Sequence, residues 1–225
     1  MKTSSSLRFM IASPLLGMML MAILSFSSCS KNSTNNTQRT DSTTTTDSGS
    51  WEARYDSLAP DSLPDNVFDL IGNQWMLVTA GDTAKFNTMT AAWGGFGVLW
   101  SKPTAFIAVK DTRYTYQFLK DKHAYTLSFF DAKYRPALNI CGTKSGRDTD
   151  KIKEAKLTPI TTPSGMMTFK EARMVIECED MYETELDPAA IRPAYKDSIV
   201  KKNYTADKGK HTLFLSEIKH IWIKK

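Results

Sequence analysis

The stretch Phe86-Asn87-Thr88-Met89-Thr90-Ala91-Ala92-Trp93-Gly94-Gly95-Phe96-Gly97-Val98-Leu99-Trp100 constrains this chain more than any other. It reads as a strand of small and hydroxylated residues that enters a glycine-rich turn and is then taken up by large apolar side chains. An ordinary buried strand is built from Val, Ile and Leu, whereas Thr88, Thr90, Ala91 and Ala92 leave a backbone open to close approach from one side. Gly94, Gly95 and Gly97 permit conformations closed to residues with a β-carbon, and Trp93 and Trp100 bracket them with planar surfaces. A hairpin corner explains the glycines, and a flat or polar ligand laid against the strand explains its small residues. The rest of the chain must decide between them.

The first fifty residues are of another kind. Lys2 and Arg8 precede an apolar run, Phe9 to Leu24, that contains Pro14 and Gly17 and falls short of the roughly 20 residues a comfortable bilayer span needs. This is the pattern of a secretory signal. Ser25-Phe26-Ser27-Ser28 then leads to Cys29 and resembles a bacterial lipoprotein processing site, which implies removal of residues 1–28 and lipid attachment at Cys29. Phe26 departs from that pattern, where an aliphatic residue is commoner, and an ordinary cleaved signal that leaves a free cysteine is the alternative. From Ser30 to Ser50 the chain is almost wholly Ser, Thr, Asn, Asp and Gln, a composition that cannot bury enough apolar surface to offset chain entropy. As a tether of about 20 residues it would span roughly 25 Å. The organisation expected is therefore a signal over 1–28, an anchor, tether and lead-in over 29–64, and one domain over 65–225 held at a membrane of the bacterial cell envelope.

Removing Lys2 and Arg8 from the 29 basic residues leaves a formal excess of +3 over the 24 acidic ones. That is too little to argue for nucleic acid, and no basic stripe is interleaved with aromatic residues. Cys141 and Cys178 can pair in an oxidising compartment or sit apart as small buried hydrophobes. His123, His211 and His220 lack metal-ligand spacing, so no metal site is expected.

Strands are expected at Trp75–Ala80, Thr104–Val109, Tyr125–Phe130, Glu171–Glu179 and Thr212–Ile223. Tyr125, Leu127 and Phe129 alternate onto one face, as do Ala172, Met174, Ile176 and Cys178. The last strand is apolar on parts of both faces, which suits a strand covered on both sides. Short helices are expected at Val67–Ile71, opened by Asp65, and at Tyr116–Lys122, Pro136–Asn139, Asp150–Lys156 and Ala194–Lys202. The strand count and turn signals favour a mainly β, α+β fold built on a closed or nearly closed antiparallel barrel.

Two further segments can hold an anion beside the opening stretch. Asp111-Thr112-Arg113-Tyr114-Thr115-Tyr116 follows a strand and starts a helix, so free amides, a hydroxyl and a guanidinium converge there. Cys141-Gly142-Thr143-Lys144-Ser145-Gly146-Arg147-Asp148-Thr149-Asp150-Lys151 lacks the glycine-lysine-hydroxyl order of a nucleotide-binding P-loop, but its glycines, hydroxyls and cations can close over an anion. Taken singly, Arg113 reads as a surface charge, Thr115 as a helix cap and the loop as solvent-exposed.

Together, Asn87 to Gly95, Arg113 to Tyr116, Thr126-Leu127-Ser128-Phe129-Phe130, Cys141 to Asp148 and the strand Glu171–Glu179 resemble the flavin reductase-like proteins with an FMN-binding split barrel. The resemblance runs from about Asp65 to the C-terminus. It implies that FMN lays its ring system against Thr88, Met89, Thr90 and Ala91, with Trp93 beside them. It also implies that the phosphate lies near Arg113, Thr115, Cys141, Gly142, Ser145, Gly146 and Lys151, and that two copies form a homodimer. In such proteins the cofactor carries the redox chemistry, so no catalytic side chain is assigned. Family reductases draw hydride from nicotinamide dinucleotides, which the envelope is not expected to supply, and the electron donor and acceptor are left open. The function expected is a lipid-anchored FMN-dependent oxidoreductase of the flavin reductase type. The alternative is a non-enzymatic flavin-binding or electron-carrier lipoprotein, and a third reading is a lipoprotein barrel for another small ligand or only a protein partner.

Overall fold

In a computed structural model, the structure describes residues 50–205 and 208–225. The expected signal, Cys29 and most of the tether lie outside the described residues. The folded unit starts well before residue 65. Trp51–Arg54 forms a single helical turn (α1), and Tyr55–Leu58 (β1) pairs with the last strand through Tyr55↔Lys224 to Leu58↔Ile221. Tyr55 is buried and donates to the Ala172 carbonyl at 2.9 Å, so the expected lead-in is part of the fold.

Asn66 opens the next turn, its side chain accepting from the amides of Phe68 and Asp69. It takes the cap expected of Asp65, whose carboxylate instead pairs with Arg173. Helix α2 (Val67–Asp69) runs into a π-turn at Leu70–Gln74, and the strands follow: β2 (Met76–Gly81), β3 (Phe86–Ala91), β4 (Gly94–Leu99) and β5 (Lys102–Lys110). Helix α3 (Tyr114–Lys122) precedes β6 (Ala124–Phe129), and α4 (Arg135–Thr143) and α5 (Lys151–Glu154) follow it. A small hairpin of β7 (Pro159–Thr161) and β8 (Met167–Phe169) leads to β9 (Met174–Glu185), α6 (Pro193–Asn203) and β10 (His211–Lys224).

The main sheet runs β3-β2-β6-β9-β10-β5-β4, with β1 added to β10, and all of its pairs are antiparallel. The fold is thus the expected antiparallel α+β arrangement, and the barrel is split between β3 and β4. These strands are joined by Ala92-Trp93 alone and do not pair with each other. Strand β10 holds the sheet together. Along His211–Glu217 it pairs with β5, along Ile221–Lys224 with β1, and along most of its length with β9. Register shifts at Leu215/Ser216 and Ile218/His220 give it the bends this requires.

The inner face collects Tyr125, Leu127, Phe129, Met174, Ile176, Cys178 and Phe214 into one core. The outer face of the same strands, with α4 and the β7–β8 hairpin, forms a second core containing Leu77, Val175, Phe169, Leu138 and Cys141. Ala172 precedes β9 and belongs to this second core rather than to the face of Met174. Cys141 and Cys178 are both buried free thiols, one in each core.

The glycines of the opening stretch lie within a strand, not in a turn. A β-carbon on Gly94 would come within 2.4 Å of the Phe106 carbonyl, and one on Gly95 within 2.5 Å of the Phe106 ring. Glycine there lets β4 lie flat on β5. The chain reverses instead at Trp100 (φ 51°) and Ser101 (φ 60°), two left-handed residues that close the β4–β5 hairpin.

Candidate functional site

The free edge of β3, the start of α3, the end of α4 and the ends of β5 and β10 enclose a two-armed cleft. Its arms share Met89, Lys110 and Arg113. The larger, about 460 Å³, presents Lys110, Arg113, Lys144, Arg147, Lys151 and Lys208 against a single carboxylate, Asp148. The smaller, about 240 Å³, is walled by Met89, Thr90, Ala91, Ala92, Trp93 and Ala108, with Asn203 and His211 at its far side.

The cationic arm is held in shape by its own backbone. Arg113 donates to the Gly142 carbonyl at 2.9 Å, which ties the start of α3 to the end of α4. Arg147 donates to the Thr112 carbonyl at 3.2 Å, and its guanidinium lies 4.7 Å from the centre of the Tyr114 ring. Lys151 is almost fully buried and donates to the carbonyls of Cys141 and Lys144, both at 3.2 Å. Burial draws its ammonium below the usual lysine range, Arg113 adds to that, and Cys141 opposes it. No side chain caps the N-terminus of α3, where Arg113 takes the cap position. An anion in this arm would therefore meet a helix terminus as well as cations.

Close approach is built into the floor. Asn87 is buried and donates to Thr115 Oγ1 at 2.7 Å and to the Thr88 carbonyl at 3.2 Å. Gly146 packs on this amide so tightly that a β-carbon there would sit 2.1 Å from Asn87 Oδ1. A β-carbon on Gly142 would lie 3.2 Å from the Thr90 side chain. The Ser145 hydroxyl accepts from the Arg147 amide at 3.2 Å and turns the loop between them.

Of the residues singled out in the sequence, Met89, Thr90, Ala91, Trp93, Arg113, Thr115, Ser145 and Lys151 line the cleft. Thr88 does not. Its side chain shares a strand face with that of Thr90 but is fully buried, 2.9 Å from Thr79 Oγ1 and 3.2 Å from the Val78 carbonyl, away from the cleft. Cys141 is also turned away. It belongs to α4 rather than to a loop, and burial in the second core raises its thiol to about 11. Gly142 and Gly146 support the floor without lining the cleft. The Thr90 hydroxyl donates to the Leu138 carbonyl and so fastens β3 to α4.

Lys110, Lys208, Asn203 and His211 were not singled out, and they complete the cleft from the far side. Residues 186–205 and 208–210 leave the sheet and return to it, closed at the base by the Leu186 amide on the His211 carbonyl at 2.8 Å. The start of β10 at His211, one residue before the expected strand, was the only available signal. His211 is 2% exposed, its ring 5.0 Å from that of Trp93 and 5.2 Å from that of Tyr204, and its Nδ1 has no partner among the described residues. Burial lowers its pKa, Lys110 lowers it further and Asp111 opposes them. A folded-state pKa below the unfolded value of about 6.5 makes a contribution to stability that is present above that value and lost as pH falls through the folded one. Acid titration of the thermal midpoint should therefore be shallower near pH 6 in His211→Phe, which keeps the ring contacts; an unchanged slope would remove His211 as a cause.

The profile of the flavin reductase like domain matches residues 68–225. Comparison with the curated proteins finds no match. Among solved structures, an FMN-binding domain of a flavin reductases-like enzyme from Shewanella baltica is 13% identical with a TM-score of 0.54, covering 75% of this chain and 76% of its own. An FMN-binding protein from Thermus thermophilus with bound 1-cyclohex-2-enone is 17% identical with a TM-score of 0.52, covering 72% and 75%. The flavoredoxin of Desulfovibrio vulgaris is 22% identical with a TM-score of 0.51, covering 72% and 75%. At such identities these likenesses speak for the fold, and the profile match speaks for descent. The chain belongs, through residues 68–225, to the flavin reductase like domain family.

Proposed function

We propose that the protein is an FMN-binding oxidoreductase of the flavin reductase type, anchored by lipid at Cys29 in the bacterial cell envelope. The observation that carries the reading is the division of the cleft: a strip of small side chains at the β3 edge continuous with a pocket of six cations. An isoalloxazine is flat and polar along one edge, and a phosphate monoester is a compact dianion, so one FMN satisfies both arms. Arg113, Lys151, Lys144 and Arg147 would hold the phosphate, and the backbone of Met89 to Ala92 would border the ring. When bound, the flavin supplies the electron-accepting chemistry. The chain's own part is to orient it, to exclude water with Trp93 and the excursion between β9 and β10, and to fix positive charge at Lys110 and Arg113 beside it.

In this reading two copies form a homodimer. Phe106 and Tyr182 both stand opposite Leu215, on strands either side of β10, and both are exposed, and the Trp100 ring abuts Tyr182. An exposed aromatic face on a split sheet suits a second copy. Phe106→Glu should shift the sedimentation of the protein to that of a monomer, and an unchanged dimer would move the interface elsewhere.

The test of function is direct. Protein purified without residues 1–28 should be yellow and release FMN, identified by mass, and should bleach anaerobically with a reductant from a panel that includes both nicotinamide dinucleotides. Colourless protein that takes up no added FMN would overturn the reading. Retained flavin that no donor reduces would leave a flavin-binding or storage role only. An envelope location predicts that a non-nicotinamide donor is the effective one.

A further inference from the structure

At the opposite end of α4 from the cationic arm lies a separate cavity of about 530 Å³. Phe130 and Leu138 form its apolar side, Gln74, Arg135 and Arg173 its polar side, and Asp131 stands at its exposed rim. It shares no lining residue with the two-armed cleft.

The two arginines differ in what they have left to give. Arg173 is paired, donating to both Asp65 carboxylate oxygens at 2.8 and 3.3 Å and to Gln74 Oε1 at 2.9 Å. Arg135 lies flat on Trp75, 4.0 Å from the ring, and donates through Nη2 to the Asn73 carbonyl. Its Nη1 is buried and has no acceptor among the described residues. An unmatched charged donor is among the costlier things a fold can retain.

The platform beneath Arg135 is also unusual. Asn73 and Gln74 each donate to the Asp69 carboxylate at 2.8 Å, which locks the π-turn Leu70–Gln74. Trp75 then sits at φ 68° and ψ 168°, a conformation that a side chain rarely tolerates. The strained residue is the one that holds the guanidinium in place.

We propose that this cavity is a second ligand site, for a small organic carboxylate whose anion pairs with Arg135 and whose apolar body lies on Phe130 and Leu138. The charge balance selects a monoanion. Asp65 neutralises Arg173, and Arg135 is the one lining cation without a carboxylate partner among the described residues, too few for a phosphate dianion, while the exposed Asp131 lowers the potential at the rim. The inference stands apart from the flavin reading, since none of its residues belongs to that cleft.

The probe is 4-fluorobenzoate, followed by fluorine NMR on the protein purified without residues 1–28, with and without saturating FMN. Saturable binding is expected, unchanged by FMN, with the neutral isostere 4-fluorobenzamide about tenfold weaker or worse, as loss of a charge-assisted pair requires. Arg135→Gln should lose about tenfold in benzoate affinity and leave the amide unaffected, and Asp131→Asn should tighten benzoate by removing a like charge. No saturable binding, equal binding of acid and amide, or displacement of benzoate by FMN would each overturn the proposal, the last by placing the anion in the cationic arm. If Arg135→Gln does not fold, the acid–amide pair and the FMN competition decide the matter alone.

Discussion

Gly146→Ala is expected to lose bound flavin altogether on purification, although it adds one methyl group. The added β-carbon would lie 2.1 Å from Asn87 Oδ1 and 3.2 Å from the Tyr114 ring. Neither neighbour can yield. Asn87 is fixed by its bonds to Thr115 Oγ1 and the Thr88 carbonyl, and Tyr114 is packed edge-on against Phe118 on one side and under Arg147 on the other. The loop must therefore lift, and Ser145 and Arg147 lift with it, out of the cationic arm. Overpacking of this kind costs roughly 1–3 kcal/mol, about one to two powers of ten in affinity if it falls wholly on the bound state. Gly97→Ala is the control, because a β-carbon there meets nothing within 4 Å. Asn87→Ala removes the nearer of the two obstacles, so adding Gly146→Ala should cost less on the Asn87→Ala background than on the wild type, a non-additivity that two independent defects would not show. Flavin retained at wild-type occupancy in Gly146→Ala would mean that this loop does not shape the site.

How much of this was legible beforehand depends on the kind of contact. The period-2 alternation of Tyr125, Leu127 and Phe129 is a local signal, and it placed β6 and its inward face correctly. Strand β4 was hidden because its glycines serve a tertiary purpose, the flat packing on Phe106, and mimic a turn in sequence. The β7–β8 hairpin has three residues in each strand, too short to show a period. Cys141-Gly142-Thr143 read as a loop because glycine weakens a helix, yet burial of Cys141 in the second core carries α4 through it. Within the site, the β3 edge was visible from its small side chains, but not which of them face the cleft. Thr88 and Thr90 share a strand face, and only the burial of Thr88 against Thr79 shows that it stops short of the cleft. Lys208 had no local signal, and His211 only its place at the start of β10, because they join the cleft through the return of the chain from α6. Lys151 is a charged residue whose burial is explained by two carbonyls far from it in local pattern, those of Cys141 and Lys144.

Arg113→Ala should separate the two halves of the ligand. Arg113 is common to both arms, and its one side-chain hydrogen bond among the described residues, to the Gly142 carbonyl, directs the guanidinium toward the end of α4 where the phosphate would lie. A hydrogen bond to a charged group contributes about 1.5–3 kcal/mol, so FMN affinity should fall roughly 10- to 100-fold. Riboflavin has the same ring and no phosphate, and its affinity should change by no more than about threefold, the share set by lost packing. The five remaining cations of the arm keep the local potential positive, so the FMN loss measures the directed contact more than the field. Raising the salt should weaken FMN in the wild type and leave riboflavin nearly unmoved, since exposed charges are screened within about 10 Å at 0.1 M. Both ligands can be titrated by quenching of flavin fluorescence. If Arg113→Ala weakens them equally, Arg113 supports the ring and the phosphate must be held from the Lys144 and Arg147 side; if it weakens neither, the cationic arm binds some other anion, and the division of the cleft loses its meaning as a nucleotide site.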